Sequence, residues 1–214
     1  MVPDVVDAAQ DAGRRGGGTA VAGVRKRDPN RRQSIIDATA ELLARRGYGG
    51  VSMAEIGAEV GIAASAIYWH FPSKQDLLVE LFDQCLDRLR AEQVGAVERL
   101  GRTREALIEI ARLQVEFVVR QRAFARVYYQ EERNLRDADL VRLRGKQRAY
   151  VETWTDLLLS LRPDLDPVSA ECLVHATIGA VQSSLVYNSS LPPEVLADTL
   201  TAIALQVLDS PLTR

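Results

Sequence analysis

Beyond about residue 28, apolar residues return every three or four positions, the period that gathers them on one face of a helix. Ile35, Ile36, Thr39, Leu42 and Leu43 form the first such stripe, and Gly47, a residue suited to a helix C-terminus, ends it. Ser52, with Glu55 three positions on, makes a capping box that starts a second helix, which stops near Val60-Gly61. A third, from Ala63 to His70, is cut off by Pro72. Ser73 then caps a long helix from Lys74 to about Leu100, with Leu77, Leu78, Leu81, Phe82, Cys85 and Leu89 on one face. Further helices are predicted at 103–120, 122–134, 138–161, 167–188 and 193–209. Thr103 caps the first of these, Asp166-Pro167 supplies a cap plus a proline at the first helical position, and Pro192-Pro193 separates the last two. No alternating strand pattern of useful length breaks the series. The expected class is all-α, with a three-helix helix-turn-helix head at 29–74 and a larger helical domain at 75–214. Residues 1–28 are rich in Gly, Ala and Arg and hold too little apolar surface to bury, so they read as a disordered arm.

Composition adds one fact about partners. The net charge is only -2, which by itself points to no nucleic acid. Its distribution does: residues 14–46 hold nine basic and three acidic side chains, whereas 75–214 hold 17 basic and 21 acidic. Positive potential is therefore concentrated at the N-terminal end, where it attracts phosphates. Arg25, Lys26 and Arg27 either belong to a mobile tail or reach DNA phosphates or a minor groove. Cys85 and Cys172 form no C-x-x-C pair, no apolar run approaches a membrane span, and the N-terminus lacks a signal-peptide core. A reducing cytoplasm is expected, with no membrane partner.

The segment 51–78, VSMAEIGAEVGIAASAIYWHFPSKQDLL, carries the most information. Ile56 and Val60 face inward, Gly61 makes the turn, and Ile62 and Ile67 close a small core: a helix-turn-helix. The second helix of the pair carries small residues, hydroxyls, an aromatic pair and an imidazole but no acid, which suits a DNA major groove.

From Arg32 to Leu78, and above all in IYWHFPSKQDLL, the chain resembles the tetracycline-repressor (TetR) family of bacterial regulators. The resemblance implies phosphate contacts from Tyr68, His70 and Lys74, backbone contacts near Tyr48 and Ser52, and base-edge exposure of Ala63, Ala64 and Ser65. Ala64 offers only a methyl group and Ser65 a hydroxyl, so direct readout is thin and DNA shape contributes. Trp69 either joins this DNA-facing set or packs inside the head. Two positions depart from the family pattern: Gly57 replaces the usual alanine, softening its helix by up to roughly 1 kcal/mol, and Ala63 replaces a capping Ser or Thr.

The family works as homodimers on palindromic operators, pairing the last two long helices of each subunit. Ala176, Gly179, Ala180 and Ser183 would give one small-residue face, and Leu196, Leu200 and Ile203 the apolar face of the final helix. The same faces could instead pack within one subunit. Phe117, Phe124, Tyr128, Tyr129 and Trp154, with polar groups such as Gln114, Gln130, His175 and Gln182, either belong to the core or wall a pocket for a small apolar effector. The segment VYYQEERNL at 127–135 resembles regulators that respond to acyl-CoA in lipid catabolism, which implies a long apolar acyl tail inside and CoA phosphates on Arg120, Arg122, Arg126 or Arg148. A regulator of drug efflux, induced by an aromatic or amphipathic compound, is the alternative. A carrier or enzyme with a purely structural helix-turn-helix is the reading from another class. Glu171, Cys172 and His175 are too few for an expected metal, and neither a nucleophile motif nor a cofactor loop is present.

Overall fold

The computed structural model describes residues 30–187 and 189–211. Arg25, Lys26, Arg27 and the rest of the N-terminal segment lie outside the described residues. Among the described residues the regular elements are all helical.

Three short helices build the head. In α1 (Arg31–Arg46) the apolar stripe is buried, and Thr39 joins it because its hydroxyl donates to Ile35 O at 2.7 Å. Gly47 closes α1 at φ 70°, a left-handed conformation that favours glycine. A single 3-10 turn, Tyr48–Gly50, leads to α2 (Met53–Glu59). The capping box forms in full: Glu55 N–H donates to the Ser52 hydroxyl, and the Glu55 carboxylate accepts from Ser52 N–H at 2.8 Å. Gly61, at φ 68°, turns the chain into α3 (Ala64–Ile67).

Two expectations are corrected here. The helix expected from Ala63 to His70 is only four residues long. Ala63 has no side chain that can cap it, and beyond Ile67 the chain tightens into three-residue turns, with Trp69 N–H on Ala66 O and His70 N–H on Ile67 O. Gly57 does more than soften α2. It is buried, its carbonyl accepts from Ile62 N–H at 2.8 Å, and a Cβ there would sit 3.2 Å from Ile62 O. Glycine lets the turn close onto the helix.

The body hangs from α4 (Lys74–Leu100), capped by Ser73, whose hydroxyl accepts from Asp76 N–H. It continues through α5 (Arg104–Arg120), α6 (Arg122–Gln130), α7 (Asp137–Leu161), α8 (Pro167–Val186) and α9 (Pro193–Leu208). The expected 122–134 helix breaks after Gln130 and ends in a 3-10 turn, Glu132–Asn134. Thr103 and Asp166 cap α5 and α8 as their sequence positions suggest. One continuous apolar core runs from Ile35 in α1 to Leu208 in α9, so head and body share a hydrophobic interior. No helix among the described residues is long and apolar enough to cross a membrane.

Candidate nucleic-acid interface and effector cavities

In α3 and the turns after it, buried and exposed positions separate sharply. Ile67 and Phe71 are buried, while Ala63, Ala64, Ser65, Tyr68, Trp69 and His70 all face solvent. Tyr68 is 53% exposed and Trp69 90%, so the packing alternative for Trp69 is ruled out within this chain. An aromatic pair left in water beside a well-filled core marks a contact surface.

The other residues expected on this interface are engaged differently. The Lys74 ammonium donates to Tyr48 O at 2.6 Å and Val51 O at 2.7 Å, and stands 4.0 Å from the centre of the Tyr48 ring. Burial pushes its pKa down. Lys74 thus holds the 48–51 turn in place rather than projecting freely towards a phosphate, and its ammonium covers the Tyr48 ring. The Ser52 hydroxyl is exposed but occupied by Glu55. The Ser52 hydroxyl and then the Arg46 guanidinium hold the Glu55 carboxyl down at about 2. Arg46 reaches it at 2.7 Å, pinning the end of α1 to α2.

The body ties directly to this head. Glu131, buried at the end of α6, accepts from Tyr48 N–H at 3.1 Å and from the Asn134 amide at 2.7 Å. The Asn134 carbonyl accepts from the Gln75 amide, and Arg136 pairs with Asp76 at 3.0 Å. Nothing in the residue order flagged Glu131, because its partner is a backbone group 83 positions away.

The residues expected to line one effector pocket are divided among three places. Tyr128, His175 and Gln182 meet around a half-open cavity of about 160 Å³ between α4, α5, α6, α7 and α8, together with Gln114, Tyr129 and Tyr150. There the Tyr150 hydroxyl donates to Gln114 Oε1 at 2.8 Å, which leaves the Gln114 Nε2 group buried without an acceptor. Gln147 donates to the Tyr128 hydroxyl at 2.6 Å. Burial drives the pKa values of Tyr128, Tyr129 and Tyr150 upward, so these hydroxyls stay neutral. Phe117 and Phe124 instead line a separate cleft of about 450 Å³ with Cys85, Leu89 and Gln121. Trp154 is fully buried in the core, 6.3 Å from the Tyr150 ring, and lines none of these cavities, which corrects its expected ligand role. A polar residue on the buried stripe of an amphipathic helix was the available signal for this cavity, and Gln114, between Ile110 and Val118 on α5, shows it.

The arginines divide as well. Arg120, Arg122 and Arg126 share one cleft with Arg45. Arg148 borders another with Arg144, where Glu152, Asp156 and Glu171 outnumber the guanidiniums, a poor setting for phosphates. On α8, Ala176, Gly179 and Ser183 are exposed and Ala180 half-buried, along one stripe with exposed Val186. On α9, Ile203 and Val195 are exposed, but Leu200 turns into the subunit's own core and Leu196 is half-buried, so the apolar face expected from those leucines points mostly inward.

Residues 35–81 match the family model described as bacterial regulatory proteins, tetR family. This is a TetR-family head. The match runs from α1 into α4, past the expected boundary at residue 74. Among curated relatives, the BetI transcriptional regulator of Agrobacterium fabrum is 33% identical over 89 residues, 42% of this chain and 43% of that protein. The chain therefore spans less than half the length of that relative. The HTH-type transcriptional repressor KstR2 of Mycolicibacterium smegmatis is 27% identical over 64% of this chain and 70% of its own length. The class D tetracycline repressor of Escherichia coli is 29% identical over 84% and 80%. In three dimensions, a TetR-family regulator from Bordetella parapertussis superposes with a TM-score of 0.75 at 23% identity, covering 87% of this chain and all of that one. AibR, solved with isovaleryl coenzyme A and operator DNA, gives 0.69 at 21% identity, covering 81% and 97%. These structural likenesses establish a shared fold, with the TetR-family head followed by a helical body.

Proposed function

We propose that this chain is a cytoplasmic, dimeric transcriptional repressor that binds a palindromic DNA operator and is released by a small effector held in its helical body. The observation that carries the reading is the solvent-facing surface of Ala64, Ser65, Tyr68, Trp69 and His70 on a head whose interior is filled. Two such surfaces, related by a two-fold axis, would read two half-sites in successive major grooves. The exposed stripe of α8, with Ile203 and Val195 of α9, is the surface we assign to the second subunit.

For the effector, we favour a CoA thioester with a short acyl group. A cavity of about 150 Å³ holds a molecule the size of benzene, so 160 Å³ matches a short acyl group rather than the long tail that the resemblance implied. The orphan Gln114 amide offers a hydrogen bond to an acyl carbonyl. AibR is named with isovaleryl coenzyme A, an acyl group of that size. A second reading, a regulator answering to a small uncharged aromatic compound, draws on the lining of the same cavity, where His175 is the one residue able to carry positive charge and no carboxylate is present.

Fluorescence anisotropy of the protein on DNA from upstream of its own gene, over a salt series, tests the first statement. A linear fall of log affinity with log salt, at one palindromic site, is expected. Repeating the titration with short-chain thioesters and with neutral aromatics tests the second. Release by a thioester supports the acyl-CoA effector, and release by aromatics alone replaces it. Binding without sequence preference would remove the operator reading altogether.

A further inference from the structure

Leu89 of α4 borders the 160 Å³ cavity and also a cleft of about 450 Å³, where α1 of the head meets α4, the end of α5 and the start of α6. Part of this cleft is apolar. Phe117, Leu89 and Cys85 are buried and Phe124 is half-buried, so two phenyl rings stand in its wall. Burial pushes the Cys85 thiol up, so it stays neutral and adds no charge. The charged side chains that line it are Asp37 of α1 and Asp87, Arg88 and Glu92 of α4. Most of that charge is already matched. Asp87 accepts from the Lys146 ammonium at 2.8 Å. The Arg88 guanidinium donates from Nε to Glu92 at 2.9 Å, and its terminal nitrogens reach the Gln121 amide oxygen at 3.0 Å. Asp37 differs. It is exposed, and its partner among the described residues is the neutral Gln33 amide, at 2.9 Å. With Asp87 set against Lys146 and Glu92 against Arg88, one negative charge is left over at the cleft, on Asp37.

We infer that this cleft is a binding site for a monovalent organic cation, a protonated amine carried on a flat ring system. The ring packs against Phe117 and Phe124, and the ammonium pairs with the Asp37 carboxylate. Phenyl faces also attract a cation, so the apolar wall and the leftover charge favour the same molecule. A volume of this order is in the range of small-molecule sites and accommodates two fused rings. The inference goes beyond the effector reading, because the site lies outside the 160 Å³ cavity and asks for a charge that the cavity's neutral lining does not. Asp37 belongs to the head and Phe117 and Phe124 to the body, so the cation bridges the two. It would bias the head's placement to the extent that it binds one arrangement more tightly than another.

Calorimetric titration of the full chain, without DNA, at neutral pH and low salt, tests it with two probes. Tryptamine carries an ammonium on a two-ring system, and tryptophol carries a neutral hydroxyl on the same rings. Tryptamine should bind about tenfold more tightly than tryptophol, the effect of one charged hydrogen bond. Asp37→Asn alters an exposed side chain and keeps an acceptor for Gln33, so the variant should fold normally. It should bring tryptamine down to the affinity of tryptophol and leave tryptophol as it was. Phe124→Ala should weaken both probes. Glu98→Gln, at an exposed acid of α4 outside the cleft, should change neither. No binding of tryptamine, tryptophol binding as tightly, or tryptamine binding unchanged in Asp37→Asn would overturn the site. Operator binding is a separate readout. A chain that binds tryptamine through Asp37 but prefers no DNA sequence keeps this site and loses the repressor reading.

Discussion

Single side chains in the head separate into those that hold it together and those that face outward. Tyr68→Ala and Trp69→Ala remove exposed groups, so unfolding free energy should change by no more than about 0.5 kcal/mol while operator affinity falls. Denaturant melts beside anisotropy titrations check this, and a large loss of stability would mean that the ring packs somewhere. Lys74 behaves otherwise. Two carbonyls and the Tyr48 ring already hold its ammonium, so Lys74→Met should weaken DNA binding by loosening the 48–51 turn. The slope of log affinity against log salt should shift by less than the roughly one unit expected for a lost phosphate contact. Glu55 gives a pH signature. Its carboxyl titrates at about 2 in the folded head, below the ordinary 4.5, so the stability it lends is complete above the higher value and is lost as pH falls through the lower one. Thermal melts between pH 5 and 2 should show this decline, and Glu55→Gln should flatten it. The sequence spelled out the capping box that causes the shift, because Ser52 and Glu55 are three positions apart. It could not reveal where Lys74 points, since either a phosphate or two carbonyls across the turn would satisfy an ammonium at that position.

Helices were legible wherever a stripe, a cap and a breaker agreed. α4, α5, α7, α8 and α9 each start and stop within a residue or two of the expected ends, and α1 stops at Gly47 as expected. The misses have two kinds of cause, a tertiary partner that local pattern does not carry and a cap that the sequence lacks. α6 ends at Gln130 and not at 134, where the next residue, Glu131, turns in to accept from Tyr48 N–H. α3 shrinks to four residues because no side chain caps it. The Glu131 contact gives α6 a direct hold on the head, while Tyr128 and Tyr129 of the same helix line the 160 Å³ cavity. Glu131→Ala should cost about 1 kcal/mol or somewhat more, the lower end of the range for leaving a donor unpaired, because the Tyr48 N–H is only partly buried. It should also reduce the ratio of DNA affinities measured with and without effector. An unchanged ratio would place the coupling elsewhere, the Arg136–Asp76 pair being the next place to look.

At the scale of the whole molecule, the fold class and the DNA-facing segment could be read from residue order. The effector site could not, because its lining comes from five helices whose relative rotation is set only by packing. That is why Phe117, Phe124 and Trp154 went to other places than Tyr128, His175 and Gln182. The second subunit's surface was half legible: the small residues of α8 face outward, but Leu200 of α9 does not. Gly179 has open space around it, so Gly179→Arg should leave each subunit folded yet halve the mass measured by light scattering. An unchanged mass would remove α8 from the interface. The chain's two tryptophans sit at opposite extremes, Trp69 at 90% exposure on the head and Trp154 at 0% in the body. Their emission should therefore fall at two wavelengths, red for the wet indole and blue for the dry one. Quenching at the red edge would follow the docking of DNA and changes at the blue edge the filling of the body, so one unlabelled sample can report on both ends of the molecule at once.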